Sequence, residues 1–187
     1  DVAAAFEDLS NNGHNPSVFI FDTIFSSDGV LSGPVGFLKP AVEAAREAGA
    51  IVIADEVQPG FGRTGSHFWG FERHGIVPDI VTMGKPMGAG HPISGLAAKA
   101  GLLEGFGQHS RYFNTFGGNA VSCAVAQAVL DVIVDEGLQA NAKRVGKHLL
   151  DGLDELSKDH EIIGDVRGAG LFIGVDLVKD RATKSLS

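Results

Sequence analysis

An α/β fold, with a mostly parallel sheet flanked by helices and then the start of a small α+β unit, is predicted by three observations. β-branched runs alternate with a helical period early in the chain, the connections between them are short, and a late pair of β runs surrounds a glycine turn. "SVFIFDTIF" (Ser17–Phe25) lies between Asn-Pro and Ser-Ser-Asp-Gly and reads as a strand. In "GFLKPAVEAAREAGA", Leu38, Val42 and Ala45 share a face that Glu43, Arg46 and Glu47 avoid, so an amphipathic helix follows, closed by Gly49. "AIVIADEV" is a second strand, its nearly continuous apolar run suiting a parallel sheet covered on both faces. "DIVTMG" (Asp79–Gly84) and "ISGLAA" (Ile93–Ala98) are a third and a fourth, and strand–helix–strand succession with short connections predicts parallel pairing. "NAVSCAVAQAVLDVIVDEG" (Asn119–Gly137) is apolar nearly all round and suits a buried helix, with Cys123 in the core. A more charged, amphipathic helix runs from about Leu138 to Leu156, and "EIIGDVRGAGLFIGVDLV" (Glu161–Val178) gives the two late β runs. A boundary near residue 140 separates a larger unit, 1–140, from the beginning of a smaller and incomplete one, 141–187.

Composition narrows the function classes. The 187 residues, 44% apolar and 20% charged, suffice for one sizeable core and exclude disordered and fibrous classes. A net charge of −8 without any Lys/Arg-rich stretch speaks against nucleic acid and anionic membranes as partners. No apolar run approaches the length of a membrane span. One cysteine leaves no internal disulfide framework, which fits a reducing compartment, and no charged-then-apolar leader argues for secretion; a cytoplasmic protein is expected. The missing initiator Met and the tail "KDRATKSLS" suggest a piece of a longer polypeptide.

Several constellations carry little. Gly60-Phe61-Gly62-Arg63-Thr64-Gly65 is a G-x-G-x-x-G, but no helical period follows it, and Asp55 and Glu56 beside it would repel a pyrophosphate. The histidines lack metal-ligand spacing, so no metal is expected, and no G-x-S-x-G elbow supports a serine hydrolase. Phe68 and Trp69, after the glycine turn, are expected to pack.

Asp55 and Lys85 are different. Each ends a predicted strand, and the C-terminal ends of parallel strands converge on the edge where α/β proteins bind ligands. A surface ion pair is one reading of them. Pyridoxal phosphate chemistry is the other: a lysine takes the cofactor aldehyde, and a carboxylate faces the pyridine nitrogen and keeps it protonated. Gln58, shortly after Asp55, is close enough to reach the same ring.

Four stretches decide between the readings. "ADEVQPGFGRTG", "DIVTMGK", "YFNTFGGNAVSC" and "GDVRGAGLFIGVDL" resemble, in order and spacing, the class III aminotransferases, pyridoxal-phosphate enzymes of fold type I. The likeness runs from about Ser17 to Val178 and makes residues 1–140 the C-terminal portion of a large cofactor-binding domain. By motif, Asp55 resembles the residue paired with the pyridine nitrogen, Gln58 the one reaching the ring 3-hydroxyl, and Lys85 the Schiff-base lysine. Thr115 resembles a threonine that crosses a dimer interface to the neighbour's cofactor phosphate, and Arg167 an arginine that clamps a substrate carboxylate.

The resemblance implies a homodimer with a shared active site, acting on a small amine and a keto acid. Where many members carry Ala-Glu-Pro, this chain has "FDT", and Asp22 is given no role. The family's phosphate-gripping turn and ring-stacking aromatic lie upstream of this sequence. Three functional readings follow. The first is an aminotransferase. The second is the family's phospho-lyase branch, acting on a phosphorylated amino alcohol, which the 113–125 and 162–180 stretches resemble. The third is a catalytically silent segment.

Overall fold

The computed structural model describes residues 1–186. Its first sheet contains β1 (Val18–Asp22), β2 (Ile51–Asp55), β3 (Ile80–Met83) and β4 (Gly95–Ala98), side by side in chain order. β1, β2 and β3 are parallel, with Asp22 opposite Asp55 and Asp55 opposite Thr82. β4 departs from the parallel pattern, running antiparallel to β3 with Ile80 opposite Ala98. The cause is the Gly84–Ser94 connection, whose only helix is a single 3-10 turn, Lys85–Gly88. A parallel neighbour needs a longer crossover than this. The sheet is still mostly parallel and carries helices, as expected for α/β.

Two helices cover β1 and β2. In α2 (Lys39–Glu47), Val42 and Ala45 are buried as the amphipathic period predicts, and they join Phe21, Leu38, Ala50, Val52, Ala54 and Ile76 in the core. Burying each of the larger side chains stabilises the fold by roughly 1.5–3 kcal/mol. α1 (Val2–Asn11), which the sequence reading does not include, starts where Asp1 Oδ1 accepts from the Ala3 N–H at 3.1 Å. It packs on α2 and turns Phe6 edge-on to Phe19, with ring centres 6.0 Å apart. A short α3 (Gly70–Arg73) follows the glycine turn, and α4 (Ala100–His109) follows β4.

α5 (Ala120–Asp135) begins at Asn119, whose Oδ1 accepts from the Ser122 N–H at 2.9 Å. It corrects an expectation: among its residues only Ala126 is buried, and Cys123 is exposed rather than in the core. The 3-10 turn and α6 (Leu138–Asp159) pack on it and leave most of its residues short of burial. α6 in turn lies on an antiparallel sheet of β5 (Ile163–Ala169), β6 (Phe172–Asp180) and the short β7 (Ser185–Leu186). The contact is backbone to backbone: a Cβ added at Gly146 would stand 1.9 Å from the Gly170 carbonyl oxygen. Phe68 and Trp69 pack as expected, Trp69 edge-on to Phe61 and Phe68 and stacked on Phe71. Among the described residues no helix is long and apolar enough to cross a membrane.

Candidate active site

Asp55 and Lys85 leave β2 and β3 at the same edge of the sheet, because the two strands are parallel. Asp55 is half-buried. Its Oδ1 accepts from the Val57 N–H at 3.0 Å, and its Oδ2 makes no bond among the described residues. Lys85 is exposed, and among the described residues it forms no ion pair. Its φ of 35° lies in the left-handed region that a non-glycine residue adopts at a cost, a feature that concentrates at functional sites. Lys85 and Gln58 line one cavity of about 480 Å³, with Arg63 and Phe172 on its wall.

Strand alternation separates Asp55 from its neighbour. Successive side chains of a strand point to opposite faces, and Glu56 goes to the interior, fully buried. Its Oε2 accepts from the Gly70 N–H at 2.7 Å, and its Oε1 from the Phe71 N–H at 2.8 Å and the Thr23 hydroxyl at 3.1 Å. Burial pushes the Glu56 carboxyl up to about 7, against the pull of those three donors. Glycine is needed at position 70, where a Cβ would stand 2.0 Å from the Thr23 hydroxyl oxygen.

The glycine stretch is a turn. Gly62 and Gly65 have φ of 75° and 76°, the Gly65 N–H donates to the Gly62 carbonyl, and the next helix starts only at Gly70.

The other expected site residues lie apart. Thr115 is exposed on the loop between α4 and α5 and does not border the Lys85 cavity. Arg167, on β5, is engaged on every donor. Its Nε and Nη2 donate to the Gly29 carbonyl, its Nη1 to Asp165 at 2.6 Å and Asp176 at 2.8 Å, and its Nη2 to Asp176 at 2.8 Å. The bonds to Asp176 and then Asp165 raise the arginine above its usual range, and the bond to Arg167 lowers Asp176. A guanidinium has five N–H donors, so none is left for a substrate carboxylate. In this geometry the group tethers the hairpin to the loop after β1. Gly174, opposite Arg167, helps: a Cβ there would stand 3.1 Å from the Val30 Cβ.

Sequence reasoning passed over Asp22, Ser26 and Glu56. The signals were there in part, since Asp22 ends a strand next to the one ending at Asp55, and alternation alone sends one of two adjacent carboxylates inward.

Comparison with known proteins defines the class. The class-III aminotransferase family matches residues 2–186, and the chain belongs to that family. Human alanine–glyoxylate aminotransferase 2, a mitochondrial protein by name, is 47% identical over 163 residues, which are 87% of this chain and 32% of that protein. A phospholyase from Arthrobacter, solved in complex with phosphoethanolamine, shares 44% identity with a TM-score of 0.94, covering 100% of this chain and 44% of that one. A taurine:2-oxoglutarate aminotransferase from Bifidobacterium kashiwanohense, in complex with PLP and glutamate, shares 25% identity with a TM-score of 0.89, covering 99% and 42%. The chain thus spans about a third of the length of the curated relative.

The cofactor of the family is pyridoxal 5'-phosphate. The residues present fit it: among the described residues, an exposed amine has no ion-pair partner, a carboxylate has a free oxygen, and an amide lies beside the amine's cavity. The cytoplasmic expectation is corrected, because relatives of this chain are named as mitochondrial proteins. A single cysteine suits either compartment, so composition could not have separated them.

Proposed function

We propose that the protein carrying this chain is a pyridoxal-phosphate-dependent aminotransferase, moving an amino group from a small amine or amino acid to a keto acid. The observation that carries this reading is the arrival of Asp55, Gln58 and Lys85 at one edge of a parallel sheet in a class-III chain. When bound, pyridoxal phosphate supplies an aldehyde for a lysine and a ring that accepts the electrons left when a carbon loses its proton. Lys85 Nζ would hold the group covalently and, once displaced, would carry the proton from the substrate carbon. Asp55 Oδ2 would hold the pyridine nitrogen in its protonated form, while Oδ1 stays on the Val57 N–H. Gln58 would bind the ring 3-oxygen. Arg167 could clamp a substrate carboxylate only by giving up Asp165, Asp176 or Gly29, and its five engaged donors favour the role of tether.

The test is the visible absorption of lysine-bound cofactor in the native polypeptide that carries this segment. Lys85→Ala is expected to remove the band and to lower turnover by 10³-fold or more, the scale on which loss of a covalent and acid–base group acts. A wild-type protein without the band, or an active Lys85→Ala variant, would overturn the reading.

A second reading is elimination of phosphate from a phosphorylated amino alcohol, favoured by the likeness to the Arthrobacter phospholyase. It uses the same lysine and ring but expels a leaving group. Release of inorganic phosphate from phosphoethanolamine with no keto acid present would establish it, and amino transfer without such release would exclude it.

Two coarser features belong to the same proposal. The boundary near residue 140 has the support that it falls at the start of α6, the helix that packs on β5 and β6. A homodimer, with Thr115 reaching the neighbour's cofactor phosphate, has the support that Thr115 stands exposed among exposed aromatics.

A further inference from the structure

The loop that carries Lys85 joins β3 to β4 and walls the Lys85 cavity with Lys85, Pro86, Ala89 and Gly90. It is held in a costly shape. Ala89, like Lys85, lies in the left-handed region, with φ of 46°. Lys85 also precedes Pro86, and the residue before a proline is pushed toward extended backbone, so its φ of 35° goes against two preferences. Strain of this kind persists only where the surroundings over-determine it.

The loop's own backbone bonds do not place it. The Met87 N–H donates to the Gly84 carbonyl at 2.9 Å, that of Ala89 to Pro86 at 3.2 Å and that of His91 to Gly88 at 2.9 Å, all within the loop. Among the described residues from Gly84 to Ser94, His91 alone hydrogen-bonds to another element: its Nε2 lies 2.8 Å from the Ser122 hydroxyl on α5. Ser122 is itself fixed. Its N–H donates to Asn119 Oδ1 at 2.9 Å, while Asn119 Nδ2 donates to the Ser122 hydroxyl at 3.0 Å and to the Phe116 carbonyl at 2.8 Å. A backbone N–H can only donate, which fixes the oxygen pole of the Asn119 amide and leaves its NH₂ pole to donate to the hydroxyl. The hydroxyl proton is then free for His91 Nε2, and a neutral ring accepts it with its own proton on Nδ1.

We propose that His91, through its bond to Ser122, is a positioning residue that holds the Lys85 loop on α5 and so sets where the Lys85 amine stands in its cavity. This deepens the pyridoxal-phosphate reading and rests on it for the use made of the amine, though not for the geometry, so it is tested in two states of the native polypeptide. In the cofactor-free protein, His91→Leu and Ser122→Ala are each expected to speed hydrogen exchange at the Met87 and Ala89 amides by about 5- to 10-fold, the fold-change of one hydrogen bond, while the amides of β2 and β3 exchange as before. His91→Gln, whose amide can also bond to the hydroxyl, is expected to restore the protection. In the loaded protein, His91→Leu and Ser122→Ala are expected to move the pH midpoint of the visible band by about half a unit or more, and His91→Gln to bring it back.

Exchange at Met87 and Ala89 that is unchanged in both variants overturns the proposal. Faster exchange with an unmoved band midpoint overturns it equally, since His91 is then a structural tie that does not reach the amine. Ser122→Ala, which removes one oxygen atom, keeps the test open if His91→Leu does not fold. A wild-type protein without the band refutes the proposed function, and the exchange readings then decide the tie alone: faster exchange upholds it and unchanged exchange overturns it.

Discussion

Asp55 and Glu56 carry the same functional group, and one peptide unit of strand separates their fates. Asp55 keeps a free oxygen at the sheet edge, whereas Glu56 is sealed in and bound by two backbone N–H groups and a hydroxyl. A buried carboxyl raised from 4.5 to about 7 favours its protonated form in the folded state. Its contribution is full below about pH 4.5 and is lost as pH climbs through 7, a change of about 3 kcal/mol over that window. Urea titrations at pH 5 and pH 8 should therefore show stability falling with pH on this account, and Glu56→Gln, which cannot titrate, should flatten the slope. An unchanged slope in the variant would assign the pH dependence elsewhere.

At the scale of elements, the strands and α2 were legible because β-branched runs and a 3.6-residue apolar stripe each admit one packing solution. The direction of β4 was not read, since "ISGLAA" looks alike both ways; the clue was outside it, in a connection too short to cross the sheet. α4 hid behind the glycines of "AGLLEGFGQH", and the burial of α5 was misjudged because apolarity states what a face prefers and not what covers it. Lys85 and Asp55 were legible as strand ends, whereas the commitments of Arg167 depend on Gly29, distant in sequence, and could not be read. Helix α6 offers a paired test. Gly146→Ala is expected to cost about 1–3 kcal/mol or more by forcing the helix off the hairpin. Gly152→Ala, on the same helix with nothing within 4 Å of its added Cβ, should stabilise by about 0.5–1 kcal/mol. Thermal melts moving in the same direction would refute this account of the packing.

At the scale of the molecule, the accessible surface of 11369 Å² exceeds the roughly 8,500 Å² typical of a monomeric protein of 19.5 kDa. The excess includes aromatics around Thr115, with Tyr112 71%, Phe113 85% and Phe116 80% exposed. Such a surface calls for covering. The 187-residue segment alone is expected to bind a hydrophobic dye, to self-associate on size exclusion and to hold pyridoxal phosphate weakly, and a monodisperse monomer binding it tightly would contradict this. On the proposed dimer reading, Thr115→Ala in the native polypeptide should weaken cofactor affinity about 10-fold, the loss expected for one phosphate contact, without changing the mass that light scattering reports. The first sheet also has a kinetic meaning. Its strands lie side by side in the order in which they occur in the chain. Each can therefore pair with its predecessor as soon as it is synthesised, so the edge that carries Asp55 and Lys85 can be assembled before the β5–β6 hairpin has left the ribosome.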